Sequence, residues 1–198
     1  MSEEDLEDAT ARWNGALQEA IAAKSGEVFT DIVFDFGVEI MNQLEFPTAE
    51  FDALLAILRD HRLHGLTGSR HLVAVFNFEF ETLTRDQEER LLKTFEEVYA
   101  SFSDWETSHY IAEMVGQRYA DGRGLDALER MRRTKNQVAR GFVANGLEQL
   151  ARTNRDPLIV NRAMDQILSM RGDISEQVNA HVDEAIERLI DRGAMGRA

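Results

Sequence analysis

Three carboxylates near the start of the chain are spaced four residues apart. Asp31, Asp35 and Glu39 occupy positions i, i+4 and i+8, so on a helix they form one acidic stripe with about 6 Å between neighbours. Glu79 and Glu81, on the parallel segment of the next helix pair, could extend this stripe, and Glu79 is counted with the partner-binding residues. The pattern indicates a surface that binds a basic partner. A divalent-metal site and a solvated outer face are the alternatives, and charge runs are more often solvated.

Two histidines, His61 and His64, are three residues apart and could meet on a helix as metal ligands do. No Asp, Glu or Cys completes a zinc pattern beside them. We therefore interpret them as surface histidines at a helix C-terminus, where the helix dipole favours them. His109 and His181 each lie alone at the edge of an apolar stripe, and the sequence assigns neither a role. We predict no metal or cofactor.

The one basic cluster surrounds a predicted turn and offers a phosphate site as an alternative interpretation. The favoured interpretation is that it offsets the dipole of the preceding helix and pairs with Glu129 and Asp126. Its members are Arg130, Arg132, Arg133, Lys135 and Arg140.

Other catalytic patterns are weak. Ser, His and Asp occur, but no segment resembles a nucleophile elbow. Gly122-Arg123-Gly124 lacks the preceding strand of a phosphate-binding loop, so we interpret it as a helix stop. Trp13, Trp105 and Tyr110 are either anchors for a partner or core residues.

Charge and composition narrow the class of partner. The 198 residues contain no cysteine and carry a net charge of −14. The acid excess lies in the first half, since residues 1–100 have a net charge of −13 and residues 101–198 of −1. A nucleic acid or an anionic membrane is therefore a poor partner. The acidic N-terminus and the lack of a long apolar run predict a cytoplasmic protein without a membrane span.

Helix signals recur along the chain. Thr84–Gln87, Ser103–Glu106, Thr134–Gln137 and Asp173–Glu176 are predicted capping boxes, and Asp156-Pro157 is a further N-terminal signal. Amphipathic patterns predict helices over Ser2–Lys24 and Glu27–Leu44, with a break at Ser25-Gly26. In residues 28–44 and 71–83 the apolar residues also alternate as in a strand. Segment length and the helical neighbours favour helix, and strand pairing stays open as the alternative.

The predicted helices form pairs. First helices begin near residues 48, 84, 124 and 156, and second helices begin near 69, 103, 134 and 173. Spacings of 31 to 40 residues are typical of helical solenoids. We therefore predict an all-α single domain over residues 1–198, with a helix pair in 1–45, four further pairs in 46–192 and a frayed tail in 193–198.

The last part of the chain, residues 122–192, resembles HEAT-type repeats. The likeness rests on Ala127-Leu128, Val138-Ala139-Arg140, Ala163 with Ile167, and Val178 with Ala185 and Leu189. Asn161 and Asn179 stand where the family usually has a basic residue, so a continuous Asp–Arg ladder between repeats is not expected. The resemblance implies a right-handed α-solenoid of about five antiparallel helix pairs, and members of that class mostly bind proteins.

The sequence therefore predicts a non-catalytic protein–protein interaction module. Its acidic surface would bind a basic protein, as in an adaptor or an immunity protein that occludes a basic toxin. One alternative is an enzyme on the same scaffold that uses Asp31 and Asp35 as acid and base. Another is a structural protein that stacks on further copies of itself. The sequence does not specify the oligomeric state.

Overall fold

The computed structural model describes residues 46–66 and 68–191, together with ten single positions between 11 and 33. These residues form helices and loops, with no β-strand among them. The α-helices from residue 46 onwards are α1 Thr48–Leu58, α2 Ser69–Phe78, α3 Arg85–Val98, α4 Trp105–Arg118, α5 Gly122–Met131, α6 Gln137–Thr153, α7 Pro157–Met170 and α8 Glu176–Asp191. A 3-10 turn, Phe80–Thr82, follows α2. The all-α prediction is confirmed for the described residues.

The N-terminal predictions can be compared only at single positions. All ten described positions between 11 and 33 are helical. The remaining parts of the predicted helices Ser2–Lys24 and Glu27–Leu44 lie outside the described residues, as do the break at Ser25-Gly26 and the tail 193–198. From residue 46 onwards, the predicted starts lie within three residues of the observed ones.

Contacts divide the chain into two compact units, Met1–Thr107 and Ser108–Ala198. In the first unit α1 packs against α2 and α3. Three aromatic rings form the centre of this packing, with centroid separations of 5.8 Å between Phe46 and Phe51, 5.7 Å between Phe51 and Phe76, and 5.9 Å between Phe46 and Phe76. These separations are typical of favourable aromatic pairs. The cluster fixes the segment before α1 against α1 and α2.

The Phe-rich segment before Thr84 is helical, which settles the ambiguity in residues 71–83. A strand would place Phe76, Phe78 and Phe80 on one face, because its side chains alternate. Phe76 and Phe80 are buried, whereas Phe78 is 73% exposed. On a helix, Phe78 lies about 160° around the axis from the buried Phe76, so it faces away from the core.

Capping explains why α3 starts at Arg85. The Thr84 side chain accepts from the Gln87 backbone N–H, and the Gln87 side chain accepts from the Thr84 N–H at 2.8 Å. Gln87 also donates to the carbonyl of Phe46 at 3.1 Å. The predicted capping box therefore forms, and its buried glutamine connects α3 to the segment before α1.

The second unit is built around α6. This helix packs against α5, α7 and α8, and eleven of its seventeen residues are buried. It also lies very close to α4, because a Cβ added at Gly116 would meet the carbonyl oxygen of Gly146 at 1.9 Å. A Cβ at Gly146 would meet the Ala112 oxygen at 2.5 Å. Glycine at both positions permits this backbone approach.

The segment Gly122-Arg123-Gly124 begins a helix, so its interpretation as a helix stop was wrong. Helix α4 ends at Arg118, and α5 begins at Gly122 with Asp121 as its N-cap. The Asp121 carboxylate accepts from the Arg123 and Gly124 N–H groups. Position 124 has no room for a side chain, because a Cβ there would lie 2.0 Å from the carbonyl oxygen of Tyr119.

Helices α5 and α7 are joined by three side-chain contacts. Arg162 donates to Asp126 at 3.3 Å, Gln166 donates to Glu129 at 3.3 Å, and Arg132 donates to Ser169 at 2.6 Å. The residue numbers rise together on both helices. The two helices therefore run in the same direction, as equivalent helices of successive pairs do.

The loops before α6 and α8 repeat the same hydrogen bond. Arg140 donates to the carbonyl of Thr134 at 3.0 Å, and Asn179 donates to the carbonyl of Asp173 at 2.8 Å. Both residues of the first pair lie thirty-nine positions before their counterparts. The sequence signals for the two helix starts were slightly displaced, since α6 begins after Asn136 and α8 begins at Glu176.

Candidate functional site

The four predicted partner-binding residues are only partly described. Asp31 is exposed on a helix, whereas Asp35 and Glu39 lie outside the described residues. Glu79 follows α2 and is only 7% exposed. A stripe extended by Glu79 would need that carboxylate at the surface, so the acidic surface of this unit must depend on other residues.

Acidic charge nevertheless dominates the surface of the first unit. Residues 46–107 contain twelve Asp and Glu against six Lys and Arg. All of these carboxylates except Glu79 are at least partly exposed. Each of the five arginines in this range already contacts a carboxylate. Those arginines are Arg59 with Glu97, Arg62 with Asp60, Arg70 with Glu106, Arg85 with Glu88 and Glu89, and Arg90 with Asp52 and Asp86.

Arg90 has a structural role within this acidic surface. It pairs with Asp52 of α1, and its guanidinium lies 5.4 Å from the Phe51 ring centroid. It therefore combines an ion pair with a cation–π contact across α1 and α3. Arg59, Arg70 and Arg90 pair with carboxylates of another element, whereas Arg62 and Arg85 pair locally. Residues 46–107 contain six more carboxylates than basic residues.

His61 and His64 form one contact, but they are not a pair of surface histidines. The two Nδ1 atoms are 3.2 Å apart, and His64 is 4% exposed, against the prediction. The His64 Nε2–H donates to the Leu58 carbonyl at 2.9 Å, and Ser101 Oγ lies 2.7 Å from its Nδ1. Burial lowers the pKa of His64. The ring therefore satisfies the carbonyl of the last residue of α1.

A cluster of three rings in the second unit joins α4, α6 and α8. The Phe142 ring is stacked on His109 at 4.9 Å and tilted against His181 at 4.6 Å, and we call these three rings the ring stack. A Cβ at Gly141 would lie 2.6 Å from the His181 ring, so the missing side chain leaves room for it. Sequence reasoning missed this stack because its members are 33 and 39 residues apart.

The polar edge of this stack contains a His–Glu pair. His109 Nε2 lies 3.0 Å from Glu113 Oε1 and 3.4 Å from Asn145 Nδ2. The hydrogen bond from His109 is the main reason that the pKa of Glu113 is lowered. Burial lowers the pKa of His181 at the other end of the stack. Asn145 is buried, and its Oδ1 has no hydrogen-bond partner within the described structure.

A buried carboxylate, Glu148, lies on the same face of α6 as Asn145. Glu148 is 2% exposed and contacts Arg152 at 3.2 Å and Arg188 of α8 at 3.5 Å. A buried carboxylate needs such compensation, because desolvation of its charge is costly. Together with the ring stack, this pair fixes α8 against α6, so the cluster has a structural role.

The predicted basic cluster is divided among several partners. Arg133 pairs with Glu129 at 3.5 Å, as expected, whereas Asp126 pairs with Arg162, outside the cluster. Arg140 forms a bidentate pair with Asp173. Arg132 donates only to neutral oxygens among its described contacts.

Part of this cluster lines a groove of about 530 Å³ between α5 and α7. Its lining consists of Glu129, Arg132, Arg133, Arg162, Asp165, Gln166 and Ser169. The spacing of these residues places one stripe of each helix along the groove. Three arginines and two carboxylates line the groove, and Asp126 pairs with one of those arginines, Arg162.

Aromatic side chains at the surface are few in the described part. Trp105 is 52% exposed, and Tyr110 and Phe78 are also exposed. Trp105 and Tyr110 are therefore not core residues, and Trp13 lies outside the described residues. None of the described helices is long and apolar enough to span a membrane. No group of three or more His, Asp or Glu suited to a metal ion occurs within the described ranges.

Comparisons with known proteins give no family. No family model matches the sequence, and searches of curated proteins and of solved structures give no significant match. The resemblance to HEAT-type repeats therefore stays a prediction from the residues.

Proposed function

We propose that this protein is a non-catalytic protein–protein interaction module that binds a basic partner through the acidic surface of its first unit. The observation that carries the proposal is the excess of six carboxylates over basic residues in 46–107. The arginines of this range are already paired, so they add no separate positive patch. Such a field speeds and orients the encounter with a positively charged protein.

The repeat architecture forms the second part of the proposal. We infer that the helix pairs belong to the right-handed α-solenoid expected from the sequence. The parallel contacts between α5 and α7 and the repeated loop hydrogen bond before α6 and α8 support this inference. Helical repeats present extended surfaces that suit protein ligands. An adaptor, or an immunity protein that occludes a basic toxin, would use the acidic surface in the same way.

A charge-reversal experiment tests the acidic surface. The test variant replaces three exposed carboxylates of the first unit with lysine, at Glu81, Asp86 and Glu89. Copurification from native lysate, followed by mass spectrometry, identifies the proteins that bind the wild-type chain. We expect a basic partner whose capture falls at least about tenfold in the variant and weakens as salt rises.

The matched control makes the same charge change in the second unit. It replaces three exposed carboxylates with lysine at Glu176, Glu187 and Asp191. Capture by the control should stay close to wild type, with unchanged helicity in both variants by circular dichroism. Recovery of only acidic partners, or equal loss in both variants, would contradict the proposal.

A further inference from the structure

The groove between α5 and α7 is lined by Arg132, whose described hydrogen bonds include none to a carboxylate. Its Nη1 donates to Ser169 Oγ at 2.6 Å and to the Gln166 carbonyl at 3.4 Å, and both acceptors are neutral. The Nε–H and Nη2–H donors of this guanidinium are not used in those contacts. Asp173 also feels the charge of Arg132, but Arg140 already holds that carboxylate.

The other two arginines of the groove have weak, exchangeable partners. Arg133 is 3.5 Å from Glu129, and Arg162 is 3.3 Å from Asp126. All four of these side chains are more than two-fifths exposed, and exposed ion pairs contribute little to stability. A ligand oxyanion could therefore contact either guanidinium without breaking a strong internal bond.

The size of the groove favours a small molecule. Its volume of about 530 Å³ falls within the ordinary range of small-molecule sites. Planar guanidinium groups bind phosphate and carboxylate oxygens with paired hydrogen bonds. Glu129 and Asp165 on the walls disfavour a densely charged polyanion such as a nucleic acid, and they could accept hydrogen bonds from ligand hydroxyl groups.

We propose that this groove binds a small molecule carrying a phosphate or carboxylate group, with Arg132 as the principal anchor and Arg133 and Arg162 as flanking contacts. This site is separate from the acidic surface of the first unit. Its failure would leave the proposed partner binding untouched.

Titration of the full-length protein with inorganic phosphate and, separately, with citrate tests this assignment. Nuclear magnetic resonance shifts and calorimetry would measure binding to wild type, Arg132→Gln and Arg162→Gln. The matched control is Arg155→Gln, which removes an exposed arginine of the same unit that does not line the groove. We expect saturable binding of at least one probe, with shifts at α5 and α7. Affinity should fall about tenfold in Arg132→Gln and stay unchanged in Arg155→Gln.

The two probes separate the two kinds of oxyanion. Stronger binding of phosphate assigns the site to a phosphorylated ligand, and stronger binding of citrate assigns it to a carboxylate ligand. Absence of saturable binding for both probes would overturn the proposal. So would unchanged binding by a folded Arg132→Gln variant, or equal weakening in Arg155→Gln, since general salt effects act on all variants alike.

Discussion

Arg140 of α6 reaches the loop before α8 and holds both carboxylate oxygens of Asp173. Its Nε and Nη2 atoms each donate a hydrogen bond of 2.9 Å, one to each oxygen. The pair lowers the pKa of Asp173, chiefly through the hydrogen bonds from Arg140. It is a single Asp–Arg contact between successive helix pairs. The sequence did not predict a continuous ladder of such contacts.

Replacing the bidentate hydrogen bonds of this pair by a single one should destabilise the second unit. Arg140→Lys keeps the charge but cannot form two parallel hydrogen bonds, so we expect a loss of about 1 kcal/mol in unfolding free energy. Urea denaturation would measure it. A double-mutant cycle with Asp173→Asn should give a coupling energy of similar size. Strict additivity of the two changes would contradict a direct interaction.

The close approach of α4 and α6 makes a second prediction. Gly116→Ala or Gly146→Ala forces a methyl group against a backbone carbonyl, and we expect each to cost about 1–3 kcal/mol. Gly122→Ala is the matched control, because a Cβ there meets nothing within 4 Å. The control should be neutral or stabilising by up to about 1 kcal/mol. Thermal unfolding of the three variants compares them directly, and equal effects would argue against the close crossing.

The link between α3 and the segment before α1 gives a third prediction. Thr84→Ala removes one cap hydrogen bond and should cost about 1 kcal/mol. Gln87→Ala also removes the bond to the Phe46 carbonyl, so its cost should be larger, about 1–3 kcal/mol. Chemical denaturation of both variants measures the difference. A smaller effect for Gln87→Ala would show that its buried amide adds nothing.

Stability should fall as the solution becomes mildly acidic. Burial lowers the pKa of His64, His71 and His181, so these rings stay neutral in the folded chain at pH values where the unfolded chain protonates them. The unfolded state then binds more protons, and the free energy of unfolding decreases as pH falls below about 6.5. The stability that these neutral rings contribute should be fully present above that pH.

Urea midpoints at pH 5.5, 7.5 and 8.5 test this dependence. The midpoint should be lower at pH 5.5 than at pH 7.5, and these histidines predict no difference between pH 7.5 and 8.5. Asp173 and Glu113 do not interfere, because lowered carboxyl pKa values place their titration below this window. His181→Gln should reduce the change between pH 5.5 and 7.5. A midpoint that rises on acidification would contradict the assignment.

Local signals in the sequence predicted most of the helices, because caps and apolar periodicity act over a few residues. Thr84 with Gln87 and Asp156 before Pro157 lie at observed helix starts. Gly124 was interpreted as part of a helix stop, but glycine is present there because a side chain would clash with the Tyr119 carbonyl.

The candidate sites were harder to predict, because they depend on contacts between distant residues. His109 and His181 gave no signal individually, yet both rings contact Phe142. Alignment of the two helix pairs by their loop hydrogen bonds would have placed Phe142 and His181 at equivalent positions, thirty-nine residues apart. Arg132 and Arg133 belong to the predicted basic cluster, but the sequence did not predict a groove, because its α7 wall has no local signature.

The unequal burial of neighbouring helices in the second unit has a kinetic consequence. Only Ala163, Ile167 and Met170 are buried along the fourteen residues of α7, whereas α6 has most of its length in the core. Amide protons of α7 should therefore exchange with solvent deuterium through brief local opening, whereas those of α6 should exchange only on global unfolding. For the same reason, a protease should cleave α7 before α6.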